Sequence, residues 1–522
     1  SSHPGQRFAV RMRCNRCAYV AASLLALCCC SPSGPSSFVG SRMVLQRPSV
    51  PRSNIHGRNG RKEKVRVARE AFVTPAIPLV GAALLFLGFQ ALNTEASDGA
   101  LKELLQKYTK IQVVDVTPDM DISKQIASGE THRPVLRGKS AKDVHWYALS
   151  EEDLPPVKWF IRDPACLRRV LFEGGLGLGE SYMDGQWESD DVERLVYELL
   201  RIEDQTKELG ARELPLIANI VFGALRGKLL ELPGNTVAGA QENIGRTYDV
   251  DTIKIYEQML DSNMQYSVGY FYDPDITLDE AQLAKMEMIG RKLDLKPGMK
   301  LLEIGFGFGS LAHFLATKYD VQITAVTLSK AQMEWAQKHY GHPNIDFRYA
   351  DYRDAEGLYD RVYSVGMFEH VGRKSFATYF DKVYDCLKDD GIFLLHTLGW
   401  AKRGEWNHNA FVGKYIFPGG ELPTLYLLTE EFSDKWHLED FHSLGKCYVQ
   451  TLRSWLNNLK TWEGMDEFDT KFKRMWEYYL SCCAAAFEKR RTKVWQMVWT
   501  KQLSTRLDDC HHIRLVDGKP PQ

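Results

Sequence analysis

Beyond Lys296 the chain alternates regularly between short apolar runs and one-sided amphipathic ones. KLLEIG, VQITAVTL, IDFRYA, DRVYSVGMF and GIFLLHTL are strand-like, rich in aliphatic, β-branched and aromatic side chains. Between them, LAHFLATKY, SKAQMEWAQKHY and SFATYFDKVYDCL space their apolar positions as a helix with one buried face does. Strand, helix, strand in this order predicts parallel strands joined by crossover helices. The predicted class is α/β, a Rossmann-like, mostly parallel sheet with flanking helices. Upstream, ERLVYELLRIEDQ has helical spacing, and ELPGNTVAG (231–239) supplies the Pro/Gly break at which a domain boundary is placed. The expected division is a leader over 1–70, a membrane span over 71–94, a smaller domain over 101–235 and a larger one over 236–522.

The span rests on AFVTPAIPLVGAALLFLGFQALNT, Ala71 to Thr94, which is uncharged and meets the ~20 residues needed to cross a bilayer. KEKVRVARE stands just before it. Pro75 and Pro78 break its first turn, so a hairpin dipping into one leaflet, or a hydrophobic part of the leader, stays open. Ahead of it, Arg7, Arg11, Arg13 and Arg16 precede AYVAASLLALCCC, and a Ser- and Arg-rich stretch follows. That layout resembles the bipartite leaders of algae with complex plastids, where a Phe such as Phe38 follows the first cleavage point; a mitochondrial address is the alternative. A single-pass anchor in an organelle membrane, plastid or mitochondrion, is expected.

At 522 residues, 44% of them hydrophobic and 25% charged, the chain can bury the cores of two domains. Its net charge of -1 hides an asymmetry, since 13 Lys and Arg face two acids over residues 1–70. The remainder carries 53 basic residues against 65 acidic ones, which argues against nucleic acid as a partner. The 11 cysteines, including the lone Cys14-x-x-Cys17 pair, show no disulfide framework and no metal-site spacing, so reduced thiols and no metal are expected.

LLEIGFGFGS (Leu301–Ser310) places a bare turn directly after the first strand of the larger domain, the default ligand position of such a sheet. Ser310 stands where the last glycine of a dinucleotide fingerprint should be, which weakens a dehydrogenase reading. Glu303-x-Gly305-x-Gly307-x-Gly309 instead resembles the signature of class I S-adenosylmethionine methyltransferases. In these, the resemblance implies, the acid handles the cofactor's ammonium and the glycines admit its amino-acid part. The second strand ends in Thr327, Leu328, Ser329 and Gln332 where many such enzymes carry an acid for the ribose hydroxyls. Asp351-Tyr352-Arg353, after the third strand, offers an aromatic face and polar contacts for adenine.

Longer strings converge on one family. GGLGLGESYMDGQWE, MQYS, LKPGMKLLEIG, DYRD, SVGMFEHVG, GIFLLHTLG, KYIFPGGELP and FKRMWEYYL resemble the cyclopropane fatty acid synthases, bacterial phospholipid-modifying and mycolic acid enzymes alike. The resemblance implies methylene transfer from S-adenosylmethionine to the cis double bond of an unsaturated acyl chain in a membrane phospholipid. It implies a bound bicarbonate as base, held by Glu369, His396 and Tyr448 with the backbone around Val268 and Leu398. It adds Tyr266 and Ser267 to the cofactor contacts of Glu303, Gly305, Gly307, Gly309, Thr327, Leu328, Gln332, Tyr352 and Arg353. Cys483 matches a cysteine of the family suspected of catalysis, yet a thiol beside Ala484, Ala485 and Ala486 on a helical stretch is expected to be packed and protonated. Trp455, Trp462, Trp476 and the WQMVW segment fit an acyl channel or a bilayer surface, and better fit the core.

Some positions depart from the family pattern. Val268 replaces a common Cys, and Thr247-Tyr248-Asp249 replaces His-Tyr-Asp. These leave open an accessory, inactive subunit of a membrane complex. Branched acyl products, from a carbocation that loses a different proton or is reduced, and a sphingolipid acceptor also stay open. A small-molecule N-methyltransferase is a further alternative, and a homodimer or membrane-complex association is left open too.

Overall fold

The computed structural model describes residues 109–128 except 119, 156–205, 250–401, 409–430 and 434–502, with positions 99, 102, 105, 432 and 504 besides. The expected leader, the span over 71–94 and the break at 231–239 lie outside the described residues. Among the described residues no helix is long and apolar enough to cross a membrane.

A seven-stranded sheet organises the larger part. Its strands are β4 (Lys300–Ile304), β5 (Gln322–Thr327), β6 (Ile345–Tyr349), β7 (Tyr359–Val365), β8 (Leu387–Trp400), β9 (Trp436–Ser443) and β10 (Thr492–Lys501), in the order β6-β5-β4-β7-β8-β10-β9. β4 pairs in parallel with β5 and β7, and β7 with β8. β10 runs antiparallel to both β8 and β9. Helices cover both faces, so the inner strands read as continuous apolar runs rather than alternating ones. Leu302 and Ile304 pack toward the Phe376–Cys386 helix, and Leu301 packs toward the Leu278–Lys292 and Ser310–Tyr319 helices. The chain order reverses between β4 and β7, which opens a crevice at the carboxyl ends of those strands.

A smaller sheet lies upstream: β1 (Ile111–Asp115), β2 (Val157–Ile161) and β3 (Trp187–Ser189), in that order. It shares one apolar core with the Gly445–Thr461 and Thr470–Glu488 helices, through Trp159, Tyr182, Trp187, Trp455 and Tyr478 among others. Polar bonds join the same partners. Arg453 grips Glu193, of the Val192–Gln205 helix, with contacts of 2.6 to 3.2 Å. Arg474 donates to Glu188 at 2.9 Å, and the Tyr182 hydroxyl donates to Glu477 at 2.8 Å. Trp455, Trp476, Trp495 and Trp499 are buried, as core residues should be, and Trp462 is partly so.

Candidate active site

The crevice at the end of β4 is walled by the glycine turn, the Met264–Ser267 loop and the segments that follow β5, β6 and β7. Of the residues expected to meet the cofactor, Tyr266, Ser267, Glu303, Gly305, Gly307, Thr327, Leu328, Gln332, Tyr352 and Arg353 line it. Gly309 does not. It caps the Ser310–Tyr319 helix at φ 89°, and a Cβ there would meet the Ala336 Cβ at 2.7 Å. Its smallness lets two helices approach, which is packing rather than ligand contact. Gly307 also has positive φ, 55°, but a Cβ there would point into open space, so its bareness serves the cleft.

Each wall is fixed from behind. Phe306 and Phe308 pack on Phe347 at 4.9 Å and Tyr256 at 5.8 Å, on opposite sides of the turn. Ser329 caps the Lys330–His339 helix by accepting from the Gln332 amide at 3.2 Å. Asp351 fastens Arg353 through Nε at 2.8 Å and Nη2 at 2.6 Å, and the guanidinium lies 5.6 Å from the Tyr352 ring centre. Tyr266 presents its ring to an aromatic group, with Tyr256 at 4.7 Å and Trp455 at 5.2 Å, while its hydroxyl meets that of Tyr479 at 2.9 Å.

Glu303 is the clearest sign of what the cleft takes. It is 2% exposed, accepts from the Tyr363 hydroxyl at 3.1 Å, and is pushed up by burial to about 8. A buried carboxylate aimed into a cleft beside a bare turn fits a ligand bearing an ammonium. Gln332 and Thr327 offer amide and hydroxyl groups for sugar hydroxyls. The donor set therefore fits S-adenosylmethionine.

Glu369, His396, Tyr448, Val268 and Leu398 do not line the crevice. They lie behind it. Glu369 stands next to His370, which does line it, and accepts the Leu398 amide through Oε1 at 2.6 Å. Its Oε2 is buried without a hydrogen-bond partner among the described residues, and burial pushes the carboxyl up to about 7. His396 is two residues before Leu398 on β8 and so shares its face. It is 2% exposed, with Nδ1 3.2 Å from Gln496 Nε2. Burial, then Lys285, Lys292 and His442, hold it well below the ordinary imidazole range, so the ring is neutral. Tyr448 packs its ring on Phe487 at 4.6 Å and joins the apolar cluster that contains Val268, Leu398 and Tyr266.

One expectation changes here, and Cys483 is found as its packed, protonated reading expects. The Leu398 amide, expected to serve an anion, is bonded to Glu369, and its carbonyl accepts from the Thr397 hydroxyl at 3.0 Å. Cys483, with Cys482 beside it, sits in the Thr470–Glu488 helix, where burial and that neighbour push its thiol well above the ordinary range. It is outside the crevice and lacks thiolate character. Sequence reading missed Gln265, Met367 and His370 on the cleft wall, although MQYS and MFEHVG contained them.

The crystal structure of coclaurine N-methyltransferase bound to N-methylheliamine and SAH shares this architecture, with TM-score 0.50 at 20% identity over 62% of this chain and 99% of that one. A mostly parallel sheet in which β10 alone runs against the other strands, with an acid near the end of its first strand and a glycine turn directly after it, defines a class I S-adenosylmethionine-dependent methyltransferase. A family model described as mycolic acid cyclopropane synthetase matches residues 236–497. The cyclopropane-fatty-acyl-phospholipid synthase of Escherichia coli (strain K12) is 38% identical over 382 residues, 70% of this chain and 97% of that protein. A probable fatty acid methyltransferase of Pseudomonas putida is 31% identical over 372 residues, 69% of this chain and 89% of that protein. The chain belongs to the mycolic acid cyclopropane synthetase family, and it is an S-adenosylmethionine-dependent methyltransferase.

Proposed function

We propose that the protein adds a methylene bridge across the cis double bond of an unsaturated acyl chain in a membrane phospholipid. The observation that carries this reading is Glu369, a buried carboxyl beside the His370 wall of the cofactor cleft, with one oxygen tied to the Leu398 amide and the other without a hydrogen-bond partner among the described residues. S-adenosylmethionine, when bound, supplies a methyl group electrophilic enough for an alkene. The chain's residues must then keep water away and hold a proton acceptor. Tyr266 lines the cleft and is backed by Trp455, Phe417 and, at its hydroxyl, Tyr479, so its ring offers a face suited to a developing positive charge on the acyl chain. Glu369 and the neutral His396, with Tyr448, would hold a bicarbonate ion, which would supply the base. The acyl chain gains one methyl group and gives up one proton from it, a net gain of CH2 with loss of the alkene.

Purified protein incubated with labelled S-adenosylmethionine and mono-unsaturated phospholipid vesicles tests the reading by mass spectrometry. A gain of one CH2 per acyl chain with loss of the double bond is expected. A gain that leaves a branched chain points to departure of a different proton, and transfer to a sphingolipid or a free amine in preference to phospholipid redirects the acceptor. Cofactor binding without transfer would favour an accessory subunit. We further propose that residues 71–94 anchor the enzyme in a plastid or mitochondrial membrane, and sequencing the mature N-terminus tests the address. Sedimentation of the detergent-solubilised protein tests self-association.

A further inference from the structure

Ser267 lines the cleft, and the groups that hold it come from the Leu278–Lys292 helix behind. Its carbonyl accepts from Gln282 Nε2 at 2.8 Å, and its hydroxyl oxygen accepts from Lys285 Nζ at 2.7 Å. Gln282 and Lys285 are both 0% exposed. The loop before Ser267 is pinned as well. Asp261 accepts from the amides of Asn263 at 2.9 Å and Gln265 at 2.8 Å, and Gln265 Nε2 donates to Ser310 Oγ at 2.6 Å.

A lysine in this place is costly. Its helix neighbours Met286, Met288 and Ile289 are core residues, and a buried ammonium is retained only where something uses its charge or its hydrogens. Burial lowers its pKa to about 7 and Asp261 opposes that fall, so a cationic form persists at neutral pH and below. An ammonium has three donors and no acceptor. Once Lys285 donates to Ser267 Oγ, the serine's own hydrogen must point elsewhere, and the cleft is the side the loop leaves open.

We infer that Lys285 is a positioning residue for the cofactor: it turns the Ser267 hydroxyl into a donor aimed at the carboxylate of the cofactor's amino-acid part. It also places a positive charge behind that carboxylate, while Glu303 on the same cleft meets the ammonium. The inference rests on the assignment of this cleft to S-adenosylmethionine. Lys285 itself lies outside the cleft lining, so it acts through Ser267.

Calorimetric titration of the full chain with S-adenosylhomocysteine separates the possibilities. S267A and K285M are each expected to weaken binding about tenfold, the scale of a charge-assisted hydrogen bond. The double variant should be no weaker than S267A within about twofold, because the two changes remove one interaction. The KM for the cofactor should rise in K285M while kcat at saturating cofactor holds. Unchanged affinity in K285M, or losses that multiply in the double variant, overturn the inference. If K285M melts too early to titrate, K285Q takes its place with the same expectation: a weakening that vanishes when Ser267 is already alanine. E303Q is the control. Weakened binding in E303Q beside normal binding in K285M sinks the lysine's role alone, and normal binding in E303Q sinks the cofactor assignment.

Discussion

Glu303→Gln separates charge from shape, because glutamine keeps the volume of the side chain and still accepts from the Tyr363 hydroxyl. Burial raises the Glu303 carboxyl from the ordinary 4.5 to about 8 in the unliganded fold. A carboxyl whose pKa rises on folding contributes stability that is fully present below the unfolded value and is lost as pH rises through the folded one. At pH 7 the lost contribution is roughly 3 kcal/mol, at about 1.4 kcal/mol for each of some 2.5 units. The unliganded variant is therefore expected to be more stable than the parent at pH 7 and above, by about 1–3 kcal/mol once relaxation of the site is allowed for. Near pH 4.5 the advantage should vanish. Cofactor binding should move the other way, since the ammonium loses its counter-ion at a cost of about 1.5–3 kcal/mol. Thermal unfolding at three pH values, with and without S-adenosylhomocysteine, reads both effects. The parent should also bind more tightly as pH approaches about 8, and the variant should not. Equal melting at every pH, together with an equal shift by the ligand, would refute the argument.

Further perturbations probe neighbouring parts of the site. Gly309→Ala forces a Cβ to 2.7 Å from Ala336 at a positive φ, and should lower stability by about 2–4 kcal/mol in a denaturant melt. Gly307→Ala meets no protein atom, so its stability loss should be about 1–2 kcal/mol, with a larger proportional rise in the cofactor KM. Glu369→Gln should cut product formation about 10²–10⁴-fold while S-adenosylhomocysteine still binds, the signature of a residue that handles the proton rather than the cofactor. With Glu369 pushed up to about 7, activity that depends on its ionised form should fall as pH drops through that value. Cys483→Ala should leave activity within about threefold, since a packed thiol of raised pKa has no nucleophilic part to lose. A large loss of kcat in a well-folded variant would return the cysteine to the mechanism.

The glycine turn was legible because it breaks a strong local pattern: an apolar strand cannot continue through three residues of positive φ, so Leu301 to Gly309 announces both a turn and a ligand. Strands β4 to β8 were legible for the same reason, each bounded by a helix of different period, whereas β1 to β3 were not read as strands. Nor were β9 and β10. Val494 to Lys501 are buried on both faces, so WQMVW lacks the alternation that marks a half-exposed strand and reads as a cluster of aromatics. Buried polar groups were the other blind spot. Lys285 occupies a position that periodicity treats as solvated, and Gln496 lies among tryptophans; the role of each depends on a partner distant in sequence, Ser267 for one and His396 for the other. The Leu398 amide shows the limit of carrying over residue types, because whether a backbone donor is spare depends on where Glu369 points.

The grip of Arg453 on Glu193 bears on how the chain can be divided. The guanidinium is 15% exposed and its partner 8%, so a fragment starting near residue 236 would lose this ion pair and leave Arg453 with Glu488 at 3.8 Å. It would also bare the tryptophan and tyrosine surface that the upstream sheet conceals. The matched catalytic half therefore leans on its forerunner as a keystone leans on its abutment, and the two should melt in one transition and resist expression apart.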